Sequence, residues 1–253
     1  MADVRTHYDE HLGPIYDWMA GPFETASMQS TQLFEELQLQ PGDAGVAVDL
    51  GCGHGLQAMP LAKRGFRVVA IDLCTELLGK LDVRADTLPI ETVRADILDF
   101  QDHTPPRVDL VVCMGDTLTH LRSLDDVKVL IGRIVSVLVP GGLFVTTFRD
   151  YVSNPLEGDT RFIPVRSDGH RSLTCFLEYL DDSVRVHDLV HERSPSGWAL
   201  TVSSYEKLRL DPRWLTEIAR ESGLQIVLER TTRGLVTFAV KSSNEVAPGT
   251  CTE

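Results

Sequence analysis

Residues 46–55 read VAVDLGCGHG: an apolar run ending in Asp49 joins a loop with glycine at Gly51, Gly53 and Gly55, and LQAMPLAKRG continues the chain with helical spacing. A strand that feeds such a loop and then a helix aims backbone N–H groups and a positive helix end at one point, where a carboxylate or phosphate can sit. The glycines let a ligand approach the main chain closely. A tight strand-to-helix connection would use the same residues, so the loop alone does not separate the two uses.

The neighbouring apolar runs separate them. RVVAIDL ends in Asp72, twenty-one positions after Gly51, where an acidic side chain reaches ribose hydroxyls held over the loop. IETVRADILDF places Asp96, with apolar Ile97 after it, at a third strand end, a pair suited to an adenine amino group and ring face. RVDLVVCMGD opens out at Cys113, Met114 and Gly115. The plainer use of either acid is a helix N-cap. Taken in register, glycines, then an acid, then an acid beside an apolar residue describe a site for an adenosine with a charged tail.

On these residues the chain resembles the class I S-adenosylmethionine-dependent methyltransferases, small-molecule type. The resemblance rests on VDLGCGHG, AIDL, ADILDF, DLVVCMGDTLTHL and LVPGGLFVTTF, and is strongest over residues 40–150. It implies a Rossmann-like, doubly wound α/β fold with a mainly parallel seven-stranded sheet, an antiparallel C-terminal strand, an N-terminal helical lid and an antiparallel β insertion. It also implies S-adenosyl-L-methionine as methyl donor and S-adenosyl-L-homocysteine as product. Asp49, Gly51, Cys52, Gly53, Asp72, Leu73, Asp96, Ile97 and Met114 are then the cofactor-binding residues. YDEHLGPIYD is similar to a tyrosine-bearing lid of small-molecule members, departing from it at Gly13 and Pro14, and adds Tyr8 and Tyr16; packing of the segment onto the sheet is the competing use of both tyrosines.

Other nucleotide chemistries fit less well. The loop lacks the third glycine of the dinucleotide spacing, with Leu56 following Gly55, and no G-K-S/T supplies a phosphate-binding lysine. A non-catalytic donor-binding sensor or partner subunit is the alternative to an enzyme.

The chain of 253 residues carries a formal charge of −13 with no concentrated basic patch, which argues against a nucleic-acid partner. The tetrapeptide turn that grips planar amines in base and glutamine methylation is replaced by Cys113-Met114-Gly115-Asp116. The expected partner is a small polar methyl acceptor with an N or O nucleophile. Five cysteines without a C-x-x-C pair, an N-terminus lacking an apolar signal stretch, and no run of membrane-spanning length lead to the expectation of reduced thiols, no membrane and a cytoplasmic location.

Along the chain the expected units are a helical lid (1–40), the cofactor-binding core (41–150), an antiparallel β insertion (151–210), a C-terminal helix with a closing strand pair (211–241), and a frayed tail (242–253). Acceptor-side candidates come after the fourth and fifth runs. Asp116 and His120 are the catalytic candidates, His120 because its ordinary pKa suits proton removal near neutrality. Thr119, Arg149 and Tyr151 are the substrate-binding candidates, Arg149 through a bidentate pair with a carboxylate. A helix-end histidine, a helix-capping Asp116 and an Arg149 ion pair with Asp150 or Asp116 are the structural alternatives. No metal is expected: His187 and His191 share one strand face, but alternation puts Glu192 on the other.

Overall fold

A computed structural model describes residues 4–243. Of the expected tail, 244–253 lie outside the described residues, as does Cys251. The N-terminal segment comprises α1 (Val4–His7), a π-helical turn (Tyr8–Leu12), a 3-10 turn (Gly13–Ile15), α2 (Tyr16–Ala20) and α3 (Phe23–Glu36). The interruption expected at Gly13-Pro14 is met by winding changes within a continuous coil. A side chain at Gly13 would bring its Cβ to 2.6 Å from the Tyr8 carbonyl oxygen, and Pro14 has no N–H to donate.

The core then alternates β1 (Val46–Leu50), α4 (Ala58–Lys63), β2 (Arg67–Asp72), α5 (Thr75–Ala85), β3 (Ile90–Arg94), β4 (Val108–Cys113), α6 (Leu124–Val137) and β5 (Leu138–Arg149). An antiparallel platform comes next: β6 (Phe162–Ser167), β7 (Arg171–Tyr179), β8 (Ser183–Ser194) and β9 (Gly197–Leu208). α7 (Pro212–Glu221), β10 (Leu224–Thr232) and β11 (Leu235–Ser242) return to the core.

The main sheet has the order β10-β11-β5-β4-β1-β2-β3, with β1 to β5 parallel and β11 antiparallel to both its neighbours. Every residue of β1 and β4 is buried, as the apolar runs require of central strands covered on both faces. Alternation sends Val46, Val48 and Leu50 toward α6 and α7, and Ala47 toward α3 and α4. Ser123 caps α6 by accepting from the Asp126 amide at 3.1 Å, and Asp211 caps α7 through the Arg213 amide. Because β1 is flanked by β2 on one side and β4 on the other, the connections diverge at its carboxyl end, the switch point where sheets of this kind form their binding crevice. The platform's inner face, carrying Leu173, Leu177, Val186 and Val190, lies against Tyr151 and the N-terminal segment.

Candidate active site

The crevice is built by the ends of β1, β2 and β4. Gly51 leaves β1 with φ +73° and, with Cys52, donates to the carbonyl of Ile71 at the end of β2. A Cβ on Gly51 would stand 2.3 Å from Thr117, whereas one on Gly53 (φ +52°) would meet only Leu77, at 4.0 Å. Gly51 is thus a position of close packing, and Gly53, buried with its amide on Asp72, leaves free space where a Cβ would stand.

Asp72 fastens this loop. One carboxylate oxygen accepts from the Gly53 amide and the other from the Cys74 amide, both at 2.8 Å. The sequence reading places this acid at ribose hydroxyls; the structure engages each oxygen with one backbone donor, which leaves lone pairs for hydroxyls. Burial raises its pKa, the Cys74 and Gly53 amides opposing. Leu73 accepts at its carbonyl from Arg94. Asp96 caps the 3-10 turn Ile97–His103 through the Leu98 amide at 2.9 Å, the plainer of its two expected uses, and Ile97 packs against the core below the crevice.

Asp49 lies beneath the loop, 1 % exposed, with the Ala58 amide turned toward its carboxylate but no partner at full hydrogen-bond geometry among the described residues. Burial, reinforced by Asp72, pushes its carboxyl up to about 8. Nearby, buried His54 has an unpartnered Nε2, 3.8 Å from Asp17, and burial lowers it to about 4. Tyr16 sits edge-on over His54, ring centroids 4.9 Å apart, its hydroxyl pushed up to about 12 by burial and by Asp72.

Past β4, Met114 is buried and its carbonyl accepts from Thr117. Asp116 adopts φ +74° and does not cap the following turn. Its carboxylate instead accepts from the Arg149 amide (2.5 Å) and the Lys207 ammonium (2.9 Å). Although burial opposes ionisation, Lys207 holds Asp116 below the usual carboxylate range. Burial likewise opposes charge on Lys207, and Asp116 with Tyr205 and Tyr151 more than offsets it, so its pKa is raised.

His120 faces Tyr205 in a near-parallel stack at 5.4 Å and meets Tyr8 edge-on, the Tyr8 hydroxyl 3.4 Å from Nε2. Its Nδ1 is buried without a partner, in place of the backbone bond of a helix-end histidine, and burial, with Lys207, pushes the ring down to about 3. Burial also raises the Tyr8 hydroxyl.

Three candidates are placed otherwise than expected. Thr119 is fully buried and donates to the Asp116 carbonyl (2.7 Å), so it braces the turn. The Arg149 side chain is exposed at the end of β5, leaving only its amide on Asp116. Tyr151 packs with Leu177, Val184 and Tyr205 in the platform core, its hydroxyl raised to about 12 by burial. The buried cation beside Asp116 is Lys207, which the sequence reading missed. No group of three or more metal-ligating side chains occurs among the described residues, and no described helix is long and apolar enough to cross a membrane.

These features test the fit of S-adenosylmethionine. The free space beside Gly53, the under-partnered Asp49 carboxyl and the nearby Asp72 suit a ligand that combines hydroxyls with positive charge. The topology is that of a Rossmann-like methyltransferase core.

Residues 47–142 match the family model for a methyltransferase domain. The chain is 31 % identical over 107 residues to a glycine/sarcosine N-methyltransferase of Aphanothece halophytica (41 % of this chain, 40 % of that one). It is 37 % identical over 94 residues to a magnesium-protoporphyrin O-methyltransferase of Rhodobacter capsulatus (36 % and 38 %). These alignments span about 40 % of the length of the curated relatives. The fold is shared far more widely. The CcbJ methyltransferase of Streptomyces caelestis superposes with a TM-score of 0.76 at 21 % identity, covering 94 % of this chain and 99 % of that one. DesVI of Streptomyces venezuelae gives 0.72 at 16 %, covering 91 % and 98 %. Residues 47–142 thus match a methyltransferase domain, and the chain as a whole shares its fold with S-adenosylmethionine-dependent methyltransferases.

Proposed function

We propose that this chain transfers a methyl group from S-adenosylmethionine to an N or O nucleophile of a small polar metabolite. The observation that carries the reading is the convergence of three strand ends on one crevice, where the free space beside Gly53, Asp72 and an under-partnered Asp49 come together. Relatives with N- and O-methyltransferase names support both nucleophiles.

Bound there, the donor supplies an electrophilic methyl: the acceptor's lone pair forms the new bond as the carbon–sulfur bond breaks and its electron pair stays on sulfur. The chain's residues do the rest. Gly51, Cys52, Gly53, Asp72 and Leu73 hold the nucleoside and tail, Asp96 and Ile97 border the adenine, and Asp49 with the Met114 main chain faces the tail's positive charge. Tyr8 and Tyr16 cover the crevice and exclude water. His120, kept neutral by burial, offers the lone pair of Nδ1 to orient the acceptor; with its ring pushed down to about 3 it does not hold the acceptor's proton, which leaves to solvent. Alignment of the two reactants supplies most of the acceleration.

The acidic charge and the platform packed against the N-terminal segment favour a compact, non-nucleic-acid acceptor. Calorimetry of the intact protein with S-adenosylmethionine and S-adenosylhomocysteine tests the reading. Binding of both is expected, together with transfer of label from the methyl-labelled donor to a component of a metabolite extract. Absence of binding to either sinks it, and binding without transfer favours the sensor.

A further inference from the structure

Lys207 reaches the crevice from the platform and not from the Rossmann-like core. It is the second-last residue of β9, 8 % exposed, and its ammonium makes one hydrogen bond, to Asp116. An ammonium carries three donors, so two N–H bonds of a buried charge have no partner among the described residues. Around it stand the Tyr205 ring, whose centroid is 5.7 Å from Nζ, and His120, stacked on that same ring. Unused donors and the unpartnered Nδ1 of His120 therefore gather on one side of the crevice, next to the turn after β4.

The charge state narrows what those donors receive. Asp116 already neutralises Lys207. A carboxylate would bring another buried charge without a counter-ion, whereas a hydroxyl brings none. A hydroxyl also matches the pair's two halves, since its oxygen accepts from Lys207 and its proton finds a lone pair on the Asp116 carboxylate.

Building on the methyltransferase reading, we infer that Lys207 is the acceptor-anchoring residue, and that the acceptor carries a neutral hydroxyl next to its nucleophilic atom. The nucleophile faces His120 while the neighbouring hydroxyl docks on the Lys207–Asp116 pair. The acceptor class is thus a vicinal amino alcohol or diol, and the platform, through β9, sets specificity.

Three probes of one size test this: trans-2-aminocyclohexanol, cyclohexylamine and trans-2-aminocyclohexanecarboxylate, titrated by ligand-observed NMR into protein saturated with S-adenosylhomocysteine. The amino alcohol is expected to bind about ten-fold or more tightly than the other two, the scale of one charge-assisted hydrogen bond. In the charge-neutral double variant Asp116→Asn/Lys207→Met, checked for retained S-adenosylhomocysteine affinity, the preference should fall to about unity, as loss of that one bond requires. Should that variant fail the check, the ammonium resonance of Lys207 in lysine-labelled wild type takes its place, and should shift with the amino alcohol and not with the amine. A wild type without the hydroxyl preference, tighter carboxylate binding, no binding of any probe, a preference that survives in the folded double variant, or an unmoved Lys207 resonance overturns the inference. Wild type that does not bind S-adenosylhomocysteine is a separate failure, of the methyltransferase reading itself, and takes the inference with it.

Discussion

At the scale of single residues, Asp49 makes the most direct test of the crevice's electrostatics. Its carboxyl is pushed by burial to about 8 in the folded protein, above its ordinary value near 3.8. The folded state therefore binds more protons than the unfolded state between about pH 4 and pH 8, and stability from this group is lost as pH rises through that window. Asp49→Asn removes the titration, so the variant's Tm, measured without ligand, should fall less than that of wild type from pH 6 to pH 8.5. His54 and His120 act in the opposite sense. Their folded values of about 4 and 3 lie below the ordinary 6.5, so each destabilises the fold as pH drops below about 6.5. For the ligand the sign reverses: Asp49→Asn should weaken S-adenosylhomocysteine by roughly ten-fold or more, the scale of a charged hydrogen bond, measured by calorimetry. An unchanged affinity would remove Asp49 from the cofactor site. Residue identity made Asp49, Asp72 and His120 legible in the chain, because glycine spacing and strand ends mark where they fall. Lys207 was not legible. In YEKLRL a lysine at alternating spacing reads as a solvated strand face, and only the folding of β9 under the core turns that face inward.

At the scale of elements, the glycine loop separates packing from ligand approach. Gly51 and Gly53 both hold positive φ, so alanine at either costs about 1–2 kcal/mol of left-handed strain. Only at Gly51 does the new methyl meet Thr117, whose hydroxyl is already tied to the Met114 carbonyl. Gly51→Ala should therefore lower urea stability beyond the cost of strain, and adding Thr117→Ala should restore part of the loss. Gly53→Ala should cost little more than the strain yet abolish S-adenosylhomocysteine binding, because the proposed site seats the ligand in the space the new methyl would fill. Equal stability losses for the two variants would refute the distinction. The strands and helices around this loop were readable because apolar runs, Ser123 before α6 and Gly223 after α7 are local signals. The winding of residues 8–15 was not, since it depends on Gly13 lying against the Tyr8 carbonyl and Cys74, a contact made in three dimensions. Arg149 shows the same limit. The strand end was legible, but whether the side chain there turns into the site or out to solvent is set by packing beyond the strand.

At the scale of the whole molecule, Tyr8 and Tyr16 contact His120 and His54, and in the proposed function they cover the ligand, so that reading requires the N-terminal segment to move for ligand entry. What holds it down is a small set of side-chain contacts. Fully buried His7 bonds through Nε2 to Asp188 at 3.0 Å and through Nδ1 to Ser203 at 2.7 Å, both on the platform's inner face. Lys80 donates to the Gly13 carbonyl, Arg84 to Asp17 and the Trp18 indole to Asp168. None of these continues the sheet ladder, so the segment opens at lower free energy than the strands beneath it. Hydrogen exchange should show amides of residues 4–20 exchanging faster than those of β1 and β4, and slowing when S-adenosylhomocysteine binds. His7→Ala leaves the Asp188 carboxylate short of a buried donor, which costs about 1–3 kcal/mol and should raise the ligand-free exchange of that segment by roughly ten-fold or more. The strands of the main sheet should be unaffected, because no hydrogen bond of His7 reaches them. If ligand leaves exchange of residues 4–20 unchanged, the segment is fixed scaffold, and access must come from movement of the platform, which would carry Lys207 and Tyr205 away from Asp116 and His120.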